Sequence, residues 1–235
     1  MIDFHSHILP GVDDGSKSVE ISIEMLKRQA QQGITHVVCT PHFYPRYHRP
    51  RDFLERRDRA EALLREEMEK HRDLPQLLMG AEVQYFRGIS NSDAIQQLTI
   101  RNKSCIMIEM VSSPWQSHMY EELAQIHRRW GVTPIIAHVD RYISPWRSYG
   151  IPERLQELPV LVQANAEFFL EKRTARMALR MLREGKIQVL GSDCHNLTDR
   201  GPNLGAALDV IRSRLNPDAV ARLHRNSYEA LGVEL

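Results

Sequence analysis

The chain opens Met1-Ile-Asp-Phe-His5-Ser-His7 and continues Ile8-Leu-Pro-Gly11-Val12-Asp13-Asp14-Gly15. An apolar start runs straight into two histidines two residues apart. In an extended strand, residues i and i+2 share a face, so both imidazoles can reach one metal ion from the same side. The glycine-bracketed loop behind them can return a carboxylate over the strand end. Taken alone, such a loop is more often a turn whose Asp caps a helix.

The same arrangement recurs down the chain. Ile34–Thr40 reads as a buried strand stopped by Pro41, with His42 next. Leu77–Tyr85 is a third strand carrying Glu82, and Ser104–Met110 a fourth ending at Glu109. Thr133–Ala137 is a fifth, followed by His138; Val160–Ala164 is a sixth. Gln188–Ser192 is a seventh, followed by Asp193 and His195. Helical periodicity fills the gaps at Ser18–Gln32, from a cap at Asp52 to about His71, Tyr120–Trp130, Ile151–Leu158, Thr174–Glu184, Leu204–Leu215 and Pro217–Asn226. Glycines 33, 131 and 185 stop three of them, and Asn216 with Pro217 starts the last.

Seven strands alternating with helices predict parallel βα units. A doubly wound sheet would gather its site at one switch point. Here polar residues stand at the carboxyl ends of strands all round, which is the pattern of a closed barrel. The length suits one α/β domain spanning residues 1–235. A single His or Glu after a strand is usually structural; recurrence at the same end of six strands makes a metal site.

The donors are imidazole and carboxylate without thiolate, which suits Mn, Zn or Fe in a hydrolytic centre. Eight or nine donors are too many for one ion, so two or three ions are implied. Four carboxylates (Asp14, Glu82, Glu109 and Asp193) leave three divalent ions with surplus positive charge, ready for a hydroxide and a phosphate.

Composition narrows the partners. There are 31 basic and 30 acidic residues, a net charge of +1, which argues against nucleic acid as a partner. Lysine occupies only six positions, so the basic side is mainly arginine, the residue whose planar fork reads phosphate. Cys39, Cys105 and Cys194 are odd in number and far apart, which excludes a disulfide framework. With no secretory signal and no membrane-spanning run, a cytoplasmic protein without stable membrane insertion is expected.

Asp3-Phe-His5-Ser-His7, Val12-Asp13-Asp14-Gly15, Pro41-His42, Gly80-Ala-Glu82, Ile108-Glu109, Ala137-His138-Val-Asp-Arg141-Tyr142 and Ser192-Asp193-Cys-His195-Asn196 together resemble the polymerase-and-histidinol-phosphatase (PHP) superfamily. Within it the chain is most similar to the CpsB/CapC tyrosine phosphatases of bacterial capsule and exopolysaccharide synthesis, from Met1 to about Asn226. The resemblance implies a distorted (β/α)7 barrel and a trinuclear centre, often loaded with Mn2+. Its ligands would be His5, His7, Asp14, His42, Glu82, Glu109, His138, Asp193 and His195. Arg141 and Arg200 would bind phosphate, and with His42 they are the candidate catalytic side chains. The substrate would be a phosphotyrosine protein, in particular a bacterial tyrosine autokinase. Two positions depart from the family: Asp140 stands where Glu is frequent, and Thr198-Asp199-Arg200-Gly201 differs from its arginine loop.

The expected chemistry is direct hydrolysis by a metal-activated hydroxide. A phenolate leaving group, with a pKa near 10, needs less protonation than an alkoxide. Cys194 and Arg200 have the Cys-x5-Arg spacing of thiol phosphatases, but the intervening loop has no glycine to cradle phosphate, and Asp199 would repel it. Tyr44, Arg46, Tyr47, His48, Arg49 and Arg51 crowd the loop after the second strand, which is expected to overhang the site. Two other readings remain at this point: another PHP phosphoesterase such as a histidinol-phosphate phosphatase, and a non-catalytic protein that docks a kinase.

Overall fold

Nine short strands carry the seven expected ones. They are β1 (Ile2–Ser6), β2 (His36–Cys39), β3 (His42–Phe43), β4 (Gln76–Met79), β5 (Glu82–Gln84), β6 (Cys105–Glu109), β7 (Thr133–Ile136), β8 (Leu161–Asn165) and β9 (Val189–Gly191). The structure is a computed structural model and describes residues 1–112 and 114–232. Every strand pairing is parallel. The third expected strand is broken in two at Gly80-Ala81; the second ends before Pro41, as expected, and a separate short strand, β3, resumes at His42. Proline cannot donate to a ladder, so the pairing stops at Pro41. The chains stay side by side across the breaks: Gly80 N donates to Cys39 O (2.9 Å) and Glu82 N to Pro41 O (3.0 Å).

The ladders form one run β1-β2-β4 and another β3-β5-β6-β7-β8-β9. The ring closes just past β9. Asp193 N donates to His5 O (2.8 Å) and His7 N to Cys194 O (2.9 Å), with a parallel bridge between Ser6 and Cys194. Below that point a side chain replaces the ladder. The fully buried Asp3 carboxylate accepts from Ser192 N (2.8 Å), Ser192 Oγ (2.5 Å), Gln29 Nε2 (2.5 Å) and His5 N (3.2 Å). The result is the distorted (β/α)7 barrel the sequence implied.

Nine helices are described: α1 (Val19–Gln31), α2 (Pro50–Met68), α3 (Ala94–Gln97), α4 (Ser117–Trp130), α5 (Ile151–Gln156), α6 (Glu167–Leu170), α7 (Ala175–Arg183), α8 (Leu204–Arg214) and α9 (Pro217–Leu231). Ser18 caps α1, its side chain accepting from Ile21 N. Asp52 does not cap α2: the helix begins at Pro50 behind Arg49, and Asp52 sits in the first turn, where it faces the positive end of the helix dipole. Asn216 stands at the start of α9 but turns its amide to Asp218 instead of capping, and the helix runs past Asn226. The end of α9 plugs the floor of the barrel: Leu231 packs into the inner cluster with Ile2, Phe4, Val38, Met107 and Ile135. Among the described residues no helix is long and apolar enough to cross a membrane.

A bulge in β1 sets the site. Asp3 pairs with Val37 but Ser6 with Cys39, so β1 carries one extra residue. The bulge changes the facing of the strand. Phe4 stays in the inner cluster, and the next residue, His5, also turns inward to Gln163 and Glu82. This needs room from β9. A Cβ on Gly191 would lie 2.5 Å from His5 Cβ and 2.9 Å from His5 N. Gly191→Ala therefore lowers Tm by roughly 3–10 °C, as overpacking of about 1–3 kcal/mol implies for a chain of this size. Gly201→Ala, whose nearest atoms lie 3.7 Å away, changes Tm by no more than about 2 °C in the same thermal melts.

Candidate metal centre

All nine expected ligands meet at the carboxyl end of the barrel. His5 and His7 end β1, His42 opens β3, Glu82 opens β5 and Glu109 ends β6. His138 follows β7, and Asp193 and His195 follow β9. Their donor atoms fall into four overlapping groups, each spanning no more than 4.8 Å: His7, Asp14, His42 and His195; His5, Glu82 and His138; His5, His7 and Asp193; His42, Glu82 and Glu109. Glu82 lies at the hub. Its Oε2 is 2.8 Å from His42 Nδ1, 3.3 Å from His5 Nε2 and 3.4 Å from His7 Nε2, and its Oε1 is 2.7 Å from His138 Nε2.

Proton positions decide what this cluster is for. The backbone N–H of His138 donates to Gln163 Oε1 (2.6 Å), so that atom is the amide oxygen. His5 Nδ1, 3.3 Å from the same oxygen, must then carry a proton. Asp13 accepts from Gly15 N (2.9 Å) and His42 N (3.0 Å), and His7 Nδ1 donates to it at 2.7 Å. His195 Nδ1 donates to the carbonyl of Asp193 (2.9 Å). In three rings, therefore, Nδ1–H points outward and Nε2 is aimed into the cluster, the orientation of metal-ligating histidine once Nε2 has given up any proton of its own. The Nε2 atoms of His5 and His7 lie 3.1 Å apart. His138 Nδ1 and His195 Nε2 are buried without a hydrogen-bond partner, and His42 Nδ1 and Glu82 Oε2 have none besides each other at 2.8 Å. Converging donor atoms at these distances fit divalent cations among them.

A family model for capsular polysaccharide synthesis proteins of the CpsB/CapC type matches residues 1–231. The chain belongs to that family. The tyrosine-protein phosphatase CpsB of Streptococcus pneumoniae is 30% identical over 234 residues, covering 91% of this chain and 90% of that protein. The tyrosine-protein phosphatase YwqE of Bacillus subtilis (strain 168) is 27% identical over 235 residues, with 97% and 90% coverage. A crystal structure described as one of the metal-dependent tyrosine phosphatases YwqE from Bacillus subtilis and CpsB from Streptococcus pneumoniae superposes with a TM-score of 0.85 at 22% identity, over all of this chain and 96% of that one. A phosphotriesterase homology protein from Escherichia coli shares the barrel more distantly (TM-score 0.51, 11% identity, 96% and 97% coverage).

In this CpsB/CapC chain the supporting residues are as telling as the ligands. Asp13, read from sequence as turn-forming, orients His7 and His42. Gln163 and Asn165 on β8 went unnoticed in sequence; Asn165 Nδ2 donates to Asp193 Oδ2 (3.0 Å). Their signal was polar residues at i and i+2 in an otherwise apolar strand. A Cβ on Gly15 would lie 2.1 Å from His7 O, so the motif ends in glycine because the loop presses on β1. His138 (φ 31°) and Asp193 (φ 52°) hold left-handed backbone, a strain of order 1–3 kcal/mol each that aims both inward.

The two expected phosphate-binding arginines are at the rim, and both rest on Asp193: Arg141 Nη2 on Oδ2 (2.5 Å) and Arg200 Nη2 on Oδ1 (3.0 Å). The loop after β3 overhangs only at its start, where the Tyr44 ring stacks on His42 (5.1 Å between centroids). Tyr47 is 74% exposed, and Arg51 pairs with Glu55 on its own helix. Cys194 is buried against Gln29, and burial pushes its thiol well up. It offers no nucleophile.

Burial alone would lower the His7 imidazole, but Asp13 and Glu82 override it and push it up to about 10. Burial and the neighbouring His7 charge push His195 down to about 4. Protons on some rings thus do part of what cations would do, and a cation must displace them. Mn2+ added at pH 8 to chelator-treated protein releases at least one proton, from His7, and the affinity weakens about tenfold per pH unit lowered for each proton displaced. Calorimetry in buffers of different ionisation enthalpy measures both. An affinity that is flat between pH 6 and pH 8 would contradict the assignment of His7.

Proposed function

We propose that this chain is a metal-dependent protein-tyrosine phosphatase acting on a phosphotyrosine protein, such as a bacterial tyrosine autokinase of capsule synthesis. The observation that carries this reading is the set of inward-facing donor atoms, with His5 and His7 Nε2 only 3.1 Å apart. Family membership and relatives named as tyrosine-protein phosphatases support it. His5, His7, Asp14, His42, Glu82, Glu109, His138, Asp193 and His195 would hold the ions, Mn2+ foremost, with Fe or Zn able to occupy the same donors. When bound, such ions supply Lewis-acid charge and lower the pKa of the attacking water.

The side chains have distinct tasks. Asp13 and Gln163 hold the His7 and His5 tautomers. Arg141 and Arg200 are about 40% exposed, so their guanidinium groups are accessible to a phosphate while Asp193 keeps them poised. The Tyr44 ring over His42 provides an aromatic wall beside the site for a phenyl ring. Asp13, Asp14, Glu82, Glu109 and Asp193 together would repel a phosphate dianion from the metal-free site. Cation occupancy therefore favours substrate binding as well as serving the chemistry.

Hydrolysis of a phosphotyrosine peptide falls at least about 100-fold on chelation and returns with Mn2+. Asp13→Asn lowers metal affinity or kcat/KM about 10–100-fold, because the ring it orients loses its tautomer. Cys194→Ser stays within about threefold of the unaltered enzyme. Turnover that survives chelation sinks the metal route, and activity confined to histidinol phosphate moves the protein to a different phosphoesterase class.

A further inference from the structure

A second feature lies outside the barrel mouth. Arg173, Arg176, Arg180 and Arg183 follow one another at spacings of three or four residues, so they line one face of α7 and the turn before it. Arg214, at the end of α8, and Trp146, in the loop after His138–Arg141, complete a cleft of about 690 Å³. All five arginines are exposed, and Trp146 is 94% exposed. Leu179 and Leu215 form an apolar floor.

Like charges at helical spacing weaken a helix. Ion pairs would relieve that, yet among the described residues none of the five arginines has a side-chain ion pair or hydrogen bond within the protein. The nearby acids are taken: Lys186 holds Glu153 (2.8 Å) and Glu184 (2.9 Å). In a chain of net charge +1, this concentration of unpartnered cations is a local property of α7 and α8. Arginine and tryptophan around an apolar floor are the side chains that dominate protein-binding surfaces.

The cleft is also joined to the mouth. α7 runs between two parallel strands, β8 and β9, so its first turn, with Arg173 and Arg176, lies at the mouth end of the barrel. Trp146 is five residues beyond Arg141, at most roughly 18 Å of extended chain. An extended peptide of about five residues spans that distance.

We propose that this cleft docks an acidic stretch of the phosphoprotein whose phosphotyrosine enters the metal centre. The proposal rests on the phosphatase reading above. A short open cleft with an apolar floor fits peptide side chains better than the long cationic track that nucleic acid requires. Two-point attachment raises the effective concentration of the phosphotyrosine at the centre, so the cleft acts on KM and leaves kcat alone.

The test uses Mn2+-loaded enzyme with three substrates: p-nitrophenyl phosphate, a five-residue phosphotyrosine peptide, and a twenty-residue acidic peptide carrying the same phosphotyrosine. The variants are Trp146→Phe and the triple charge reversal Arg176→Glu, Arg180→Glu, Arg183→Glu, each checked for native circular dichroism and metal content. The triple variant keeps p-nitrophenyl phosphate and short-peptide turnover within about twofold, while KM for the long peptide rises at least tenfold with kcat unchanged. Equal KM values on the long peptide overturn the proposal. So does tighter binding of single-stranded DNA or anionic vesicles than of the peptide, if charge reversal abolishes it. If even p-nitrophenyl phosphate is not hydrolysed, the phosphatase reading fails by itself. The cleft is then judged by titrating the unphosphorylated acidic peptide into chelated protein. A saturable tryptophan fluorescence change, lost in both variants, upholds docking, and its absence in the unaltered protein overturns it.

Discussion

The Nε2 atoms of His5 and His7 face each other across 3.1 Å, and the Nδ1 protons of both rings are committed elsewhere, to Gln163 and Asp13. Without a cation, the extra proton that His7 holds can bridge the two atoms, and a cation that displaces it meets both lone pairs. The surroundings fix the approach of the two rings. The bulge in β1 turns His5 inward, Gly191 leaves space for its Cβ, and Gly15 lets the following loop press on His7. The buried Asp3 carboxylate fastens β1 to Ser192 and to α1. Together these features keep the rings from relaxing apart.

Most of this frame is readable in sequence because barrel geometry converts chain position into spatial position. A residue just past an apolar run lies at the mouth whichever strand supplies it. Hence His42, Glu82, Glu109, His138 and Asp193 could be assigned to one site from places scattered across some 150 residues. What escaped depends on register. A one-residue bulge changes which side chains face inward, and nothing in Ile2-Asp-Phe-His-Ser6 marks it. The stop at Pro41 was readable, but the break at Gly80 was invisible for a related reason: Leu77–Tyr85 has the apolar content of one long strand, and only its neighbours show where pairing changes sheets. Asp52 and Asn216 were placed as caps on residue type alone, but Pro50 had already started one helix and Asp218 draws the Asn216 amide away.

Orienting residues escaped for another reason. Gln163, Asn165 and Asp13 act through ligands instead of binding a metal themselves, so their value depends on which ring nitrogen they face. Sequence supplies residue types but no proton positions. The backbone N–H of His138, an unambiguous donor, fixes the Gln163 oxygen and through it the His5 tautomer. One main-chain bond therefore decides the chemistry of a ring in another strand, and that chain of consequence exists only in three dimensions.

Cys194 and Arg200 show how the same logic rejects a motif. Their Cys-x5-Arg spacing is that of a phosphate loop, in which thiol and guanidinium share one anion. Here the backbone past β9 turns them to opposite sides of the barrel wall. Asp193 and His195 turn into the cluster, while Cys194 lies between them against Gln29, behind the barrel wall. Burial raises the thiol, which removes the thiolate a nucleophile needs. Arg200 reaches the site from its rim and lands on Asp193, the carboxylate that also holds Arg141. A single carboxylate thus positions both guanidinium groups and belongs to the donor cluster beneath them. The arginine half of the motif is joined to the metal-binding residues through Asp193, and the cysteine half is excluded by the same strand geometry that places Asp193.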